Sequence, residues 1–76
     1  MPRPRNDKRR VEIFHFIRRY REEHGYSPSV REMAAEFGTS TSVIDYHVAI
    51  LVDDGYVGKS HGLSRTLHIL RDMIDG

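Results

Sequence analysis

The chain has 76 residues, no cysteine, 38% hydrophobic residues and a formal net charge of +1. This length allows a single domain with a small core, and the lack of cysteine excludes disulfides and thiolate metal sites. No apolar run reaches the ~18 residues of a membrane span, and residues 1–5 lack the apolar segment of a signal peptide, so the sequence predicts a cytoplasmic protein.

The charge is distributed unevenly along the chain. Residues 1–21 carry eight Lys or Arg against two acidic residues, a net charge of +6, whereas the remainder carries a net charge of −5. This asymmetry suggests one basic surface and a polyanionic partner. A solvated arm and helix face that only aid solubility would give the same counts, so charge alone leaves both interpretations open.

The first predicted element is a long helix. Residues 1–6, which contain two prolines and two arginines, are predicted to form a flexible basic arm. Asn6 or Asp7 can cap a helix that runs to about Glu23 or His24, with Gly25 just past its end. The apolar positions recur every three to four residues and predict a buried stripe formed by Val11, Phe14 and Ile17, which Ile13 and Phe16 widen toward a second contact.

A second helix is predicted at about residues 30–37. Ser29 and Glu32 have the spacing of a capping box, in which each side chain accepts from the other residue's backbone N–H. Gly38 is expected to end the helix in the left-handed conformation. The predicted apolar side of this helix consists of Val30, Met33, Ala34 and Phe37.

The third helix is predicted at about residues 41–54, after a cluster of hydroxyl residues at 39–42 that can cap it. Ile44, Val48 and Leu51 are spaced to face the core. The other side of the helix is expected to face solvent and carries Asp45, Tyr46, Ala49 and Asp53.

After Gly55 the apolar pattern changes to alternation, with Leu67 and Ile69 separated by a polar residue. Glycines and serines between this run and residues 56–57 predict a small β-hairpin, or wing. The sequence therefore predicts a mainly α fold with a small β-hairpin, a three-helix winged helix-turn-helix over residues 7–70, followed by a C-terminal tail at 71–76.

Five segments in this order resemble the N-terminal DNA-binding domain of LexA-type repressors. They are the apolar first helix, residues 25–34 (GYSPSVREMA), His47-Val48 with Leu51, residues 54–57 (DGYV) and residues 64–67 (SRTL). Together they cover about residues 8–70. The resemblance implies a DNA-binding transcriptional repressor with double-stranded DNA as its partner.

The chain also departs from the pattern of LexA-type repressors. The segment from Gly38 to His47 is one residue shorter than usual, and Asp53 and Asp54 stand where lysine or arginine is common. Such repressors continue into a serine-lysine self-cleaving and dimerising domain, so self-cleavage is expected to be absent from this chain. No nucleophile–base set, phosphate-binding glycine loop or metal-binding histidine spacing occurs, so the sequence predicts no enzyme activity, cofactor or metal site.

In a helix-turn-helix protein, the N-terminal turns of the third helix meet base edges in the major groove. Hydroxyls can contact phosphates or bases, a valine can meet a thymine methyl, and an aspartate can accept from cytosine. These side chains could equally cap the helix or pack in the core. The candidates for reading bases are Ser40, Thr41, Ser42, Val43, Asp45 and Tyr46.

Phosphate contacts are expected from cations of the arm, the second helix and the wing. No Arg, Lys, Asn or Gln lies in the third helix, so the expected sequence specificity of one copy is weak or narrow. Arg31 could instead form a surface ion pair. The backbone-contact candidates are Arg3, Arg5, Lys8, Arg9, Arg10, Ser29, Arg31, Lys59, His61 and Arg65.

Two questions about partners stay open at this level. A winged helix can also serve as a protein-interaction module, here through an acidic patch of Asp45, Asp53 and Asp54 that docks to RNA polymerase or another regulator. A homodimer on DNA would cover two half-sites. Five apolar residues are expected at the surface and could form its interface: Ile13, Phe16, Ile50, Met73 and Ile74. The same residues could equally form the edge of the hydrophobic core.

Overall fold

A computed structural model describes residues 8–59 and 67–72. Three helices are followed by an antiparallel two-stranded hairpin, which confirms the predicted winged helix-turn-helix. None of the described helices is long and apolar enough to cross a membrane. The elements are α1 (Lys8–His24), α2 (Val30–Phe37), α3 (Thr41–Asp53), β1 (Val57–Lys59) and β2 (Leu67–Ile69).

Local capping signals set the ends of α2 and the start of α3. The Ser29 hydroxyl accepts from the Glu32 N–H at 3.0 Å, and the Glu32 carboxylate accepts from the Ser29 N–H at 2.9 Å. Gly38 ends α2 in the left-handed conformation at φ 62°. Ser40 caps α3 by accepting from the Val43 N–H at 3.3 Å. The predicted capping box and glycine stop are thus confirmed.

One hydrophobic core joins all five elements. α3 contacts α1, α2 and β1, and α1 also contacts β2. Each strand contributes one buried residue to the core. The apolar faces predicted for α2 and α3 both point into this core. The buried apolar residues are Ile13, Phe14, Ile17, Met33, Ala34, Ile44, Val48, Leu51, Val57 and Leu67.

The expectation that Ile13 is an exposed interface residue is wrong. Ile13 is fully buried, because α1 packs against both α3 and β2 and therefore needs a wider apolar face than a single stripe. Phe16 and Ile50 are only half-buried, and Val11 lies at the edge of the core. Met73 and Ile74, the other members of that predicted interface, lie outside the described residues.

The hairpin is tied to α1 and to the α1–α2 turn through one residue of β2. The Leu67 N–H donates to the Ser27 hydroxyl at 3.1 Å in a buried hydrogen bond. The Leu67 carbonyl accepts from the Arg21 guanidinium at 2.7 Å. Both polar backbone groups of Leu67 are therefore held by side chains outside the hairpin, which fixes the stem of the wing on α1.

The chain after β2 packs back on the helices. The Arg71 guanidinium lies over the Tyr56 ring at 4.1 Å and donates to the Asp54 carbonyl at 3.2 Å. Arg18 of α1 pairs with Asp72. The first two residues of the predicted tail thus contact α1 and the end of α3.

Candidate nucleic-acid interface

The outer face of α3 carries most of the residues proposed to read bases. Because Ile44, Val48 and Leu51 turn inward, the opposite side of the helix lies in solvent. Tyr46 is an exposed aromatic residue on this side, with 60% of its surface accessible. The exposed residues at the N-terminal turns and along this face are Thr41, Ser42, Asp45, Tyr46, Ala49 and Asp53.

Two of the six base-reading candidates also have structural roles. Ser40 is the N-cap of α3, so its hydroxyl oxygen is engaged by the Val43 N–H, although the residue is exposed. Val43 is half-buried. Ser40 therefore caps the helix and Val43 packs partly in the core, whether or not either residue also contacts DNA. The remaining four candidates are exposed on a single helix face.

Arg10 is the candidate whose position differs most from the expectation of an exposed phosphate contact. Only 4% of its surface is accessible, and its guanidinium carbon lies 5.9 Å from the centre of the Tyr46 ring. The Tyr46 ring also makes an edge contact with the buried His47, at a centroid distance of 5.3 Å. Arg10 is thus buried where α1 contacts α3. Its spacing from Ile13, Phe14 and Ile17 could have indicated this burial.

The cationic candidates are spread over three elements. Lys8 and Arg9 are exposed at the start of α1, Arg31 is exposed in the first turn of α2, and Lys59 is exposed at the end of β1. Ser29 is exposed, but its hydroxyl caps α2. The other candidates lie outside the described residues: Arg3, Arg5, His61 and Arg65.

The carboxylate at the start of α2 is held in its charged form. The Ser29 N–H and then the Tyr20 hydroxyl donate to Glu32 and lower the pKa of this carboxyl group. The same 2.9 Å hydrogen bond raises the pKa of Tyr20 to about 12. A charged Glu32 in the first turn is favourable, because the N-terminus of a helix carries partial positive charge. The sequence pattern indicated the Ser29 partner but not Tyr20.

A match to a known protein family identifies the kind of domain that carries this surface. Residues 7–66 match a family model described as LexA DNA binding domain. The chain belongs to this LexA family. It is 37% identical over 60 residues to the LexA repressor of Desulfatibacillum aliphaticivorans, covering 78% of this chain and 30% of that relative.

Two further LexA repressors show the same coverage pattern. The chain is 37% identical over 75 residues to that of Clostridium novyi (strain NT), covering 97% of this chain and 36% of the relative. It is 36% identical over 70 residues to that of Limosilactobacillus fermentum, covering 91% and 33%. The chain therefore spans about a third of the length of these relatives, and the matched part is the DNA-binding domain.

The LexA family match does not favour the alternative of a protein-interaction module that uses the acidic patch. Asp45 and Asp53 of this patch are exposed, whereas Asp54 is half-buried as the C-cap of α3. Within residues 8–59 and 67–72 of this LexA domain, no three His, Asp or Glu side chains are grouped to hold a metal ion. His15, His24 and His47 instead contact the aromatic rings of neighbouring residues.

Proposed function

We propose that this domain binds double-stranded DNA sequence-specifically as the operator-reading part of a transcriptional repressor, with α3 in the major groove. The observation that carries the proposal is the exposed face of α3, which presents Ser42, Asp45 and Tyr46 from a helix anchored in the core. The matching relatives are named LexA repressors, which supports the choice of DNA as partner.

The residue types on this face suit particular base and backbone groups. A major groove ~12 Å wide admits an α-helix side-on. Asp45 can accept from the amino group of cytosine, while Thr41 and Ser42 can donate to bases or phosphates. Tyr46 can donate to a phosphate, and the edge of Val43 can meet a thymine methyl. Ser40 keeps its hydroxyl proton for donation while its oxygen caps the helix.

Affinity in this proposal comes mainly from exposed cations on α1, α2 and β1. Lys8 and Arg9 lie at the start of α1, Arg31 lies in the first turn of α2, and Lys59 lies at the end of β1. Each phosphate contact adds to the salt dependence of binding. We propose the same kind of phosphate contact for four residues outside the described ranges: Arg3, Arg5, His61 and Arg65.

Two copies bound to adjacent half-sites are the proposed functional form on DNA. α3 contains no Arg, Lys, Asn or Gln, the residue types that form bidentate pairs with purines. Each copy therefore discriminates among sequences only modestly. Helix-turn-helix proteins usually bind two half-sites as dimers, which doubles the number of contacted base pairs.

The test is to select duplexes from genomic DNA with the protein itself and to measure their binding by fluorescence anisotropy over a range of salt concentrations. The variant Thr41→Ala/Ser42→Ala/Asp45→Ala removes three side chains of the α3 face. The matched control, Glu22→Ala/Glu36→Ala, alters exposed residues of α1 and α2. We expect the native chain and the control to prefer selected over random duplex with a steep salt slope, and the α3 variant to lose this preference. Equal binding of all duplexes by the native chain would refute the proposal.

A further inference from the structure

A groove lies between α1 and α2. It consists of two adjoining concavities of about 460 and 530 Å³ that share Phe16 and Glu36. Every described residue that lines it belongs to α1 or α2. We infer that this groove binds a proline- and arginine-containing segment of a partner protein, independently of DNA.

The floor of the groove is aromatic and only partly covered. Phe16 and Phe37 make an edge contact at 5.7 Å, and Phe16 lies 5.9 Å from Tyr20. All three side chains are half-buried, so their ring surfaces remain accessible from outside. Extended proline-rich segments bind in aromatic-lined grooves of this kind, because their preformed conformation loses little entropy on binding.

The rim of the groove is acidic. Four glutamates line it, against one arginine and two histidines, which gives a local charge of −3 when the histidines are neutral. The domain as a whole carries a formal charge of +1, so this acidic surface is local. The rim glutamates are Glu12, Glu23, Glu32 and Glu36.

The combination of carboxylates and aromatic rings selects arginine rather than lysine as the matching cation. A guanidinium group can pair with a carboxylate through two hydrogen bonds and stack on an aromatic face. The hydrogen bond from Tyr20 to Glu32, at 2.9 Å, already holds one ring and one carboxylate of the groove in place. A negatively charged ligand such as nucleic acid would be repelled by the same rim.

The test uses the isotope-labelled full chain, titrated with a short peptide of alternating proline and arginine and followed by amide NMR shifts. A peptide with glutamine in place of arginine is the ligand control. Glu12→Lys and Glu36→Lys reverse charges on opposite walls of the groove, and Glu22→Lys makes the same change on α1 at a residue that does not line it. Thermal unfolding of each variant checks that the fold is retained.

We expect saturable shifts at Phe16, Glu36 and Phe37. Each groove variant should weaken binding at least about tenfold, a factor equivalent to 1.4 kcal/mol, and Glu22→Lys should change it less than about twofold. Shifts outside the groove, equal weakening by Glu22→Lys, or equal binding of the glutamine peptide would overturn the inference. Self-association without peptide that Glu36→Lys abolishes would assign the groove to a second copy and would also overturn it. No DNA is present, so the outcome is independent of the proposed DNA binding.

Discussion

One of the contacts that hold the wing on the helices is a buried hydrogen bond to the Ser27 hydroxyl. Ser27 accepts from the Leu67 N–H at 3.1 Å, and Ser27→Ala would leave this N–H without its acceptor in a buried site. An unsatisfied buried donor costs ~1–3 kcal/mol. A domain of this size has a free energy of unfolding of roughly 4–11 kcal/mol, so the loss is a substantial fraction of it. At ~4–8 °C per kcal/mol, we expect the melting temperature to fall by about 4–24 °C.

The assays for Ser27→Ala are thermal and urea unfolding, both followed by far-ultraviolet circular dichroism. Ser42→Ala is the matched control, because the same atom is removed from an exposed residue of α3. An unchanged denaturant slope with a lower midpoint would locate the effect in the free energy of unfolding. A loss smaller than about 0.5 kcal/mol, as for an ordinary surface substitution, would refute the proposed role of this hydrogen bond.

Three further predictions concern the tyrosines and the hairpin. The pKa of Tyr20, about 12 in the folded chain, exceeds its ordinary value of about 10. Its contribution to stability is therefore full below pH ~10 and lost as the pH rises toward ~12, and Tyr20→Phe should flatten this part of a stability–pH curve. Gly58→Ala should weaken the hairpin in thermal unfolding, because the added carbon would overlap the His68 ring, and His68→Ala should relieve this overlap. A double-mutant cycle of Arg10→Gln and Tyr46→Ala in urea should give a coupling of ~0.5–1 kcal/mol, and additive losses would exclude a cation–π contact.

The helices were predictable because their ends are encoded locally. The Ser29–Glu32 capping box, Gly38 and the cap of α3 each act within four residues of the chain, and the structure reproduces all three. The exposed side of α3 was also predictable, since the spacing of its apolar residues determines which side turns inward.

The features that were not predicted depend on contacts between distant residues. Ser27 and Leu67 are separated by 40 positions, and no local pattern indicates that one caps the other. Ile13 is buried because α1 contacts both α3 and β2, which depends on where the hairpin packs. Arg10 was predicted to contact phosphate together with its basic neighbours, whereas packing against α3 buries it beside Tyr46.

The most direct test of the central claim compares the native chain with Asp45→Ala on every single-base variant of a selected duplex. If α3 reads the major groove, the native chain should discriminate at the base pair that Asp45 contacts, by less than the ~1–3 kcal/mol of a bidentate pair. Asp45→Ala should remove discrimination at that base pair and leave it unchanged elsewhere. If Asp45→Ala leaves the whole specificity profile unchanged, or weakens all duplexes equally, the exposed face of α3 does not read the sequence through Asp45 and the account is contradicted.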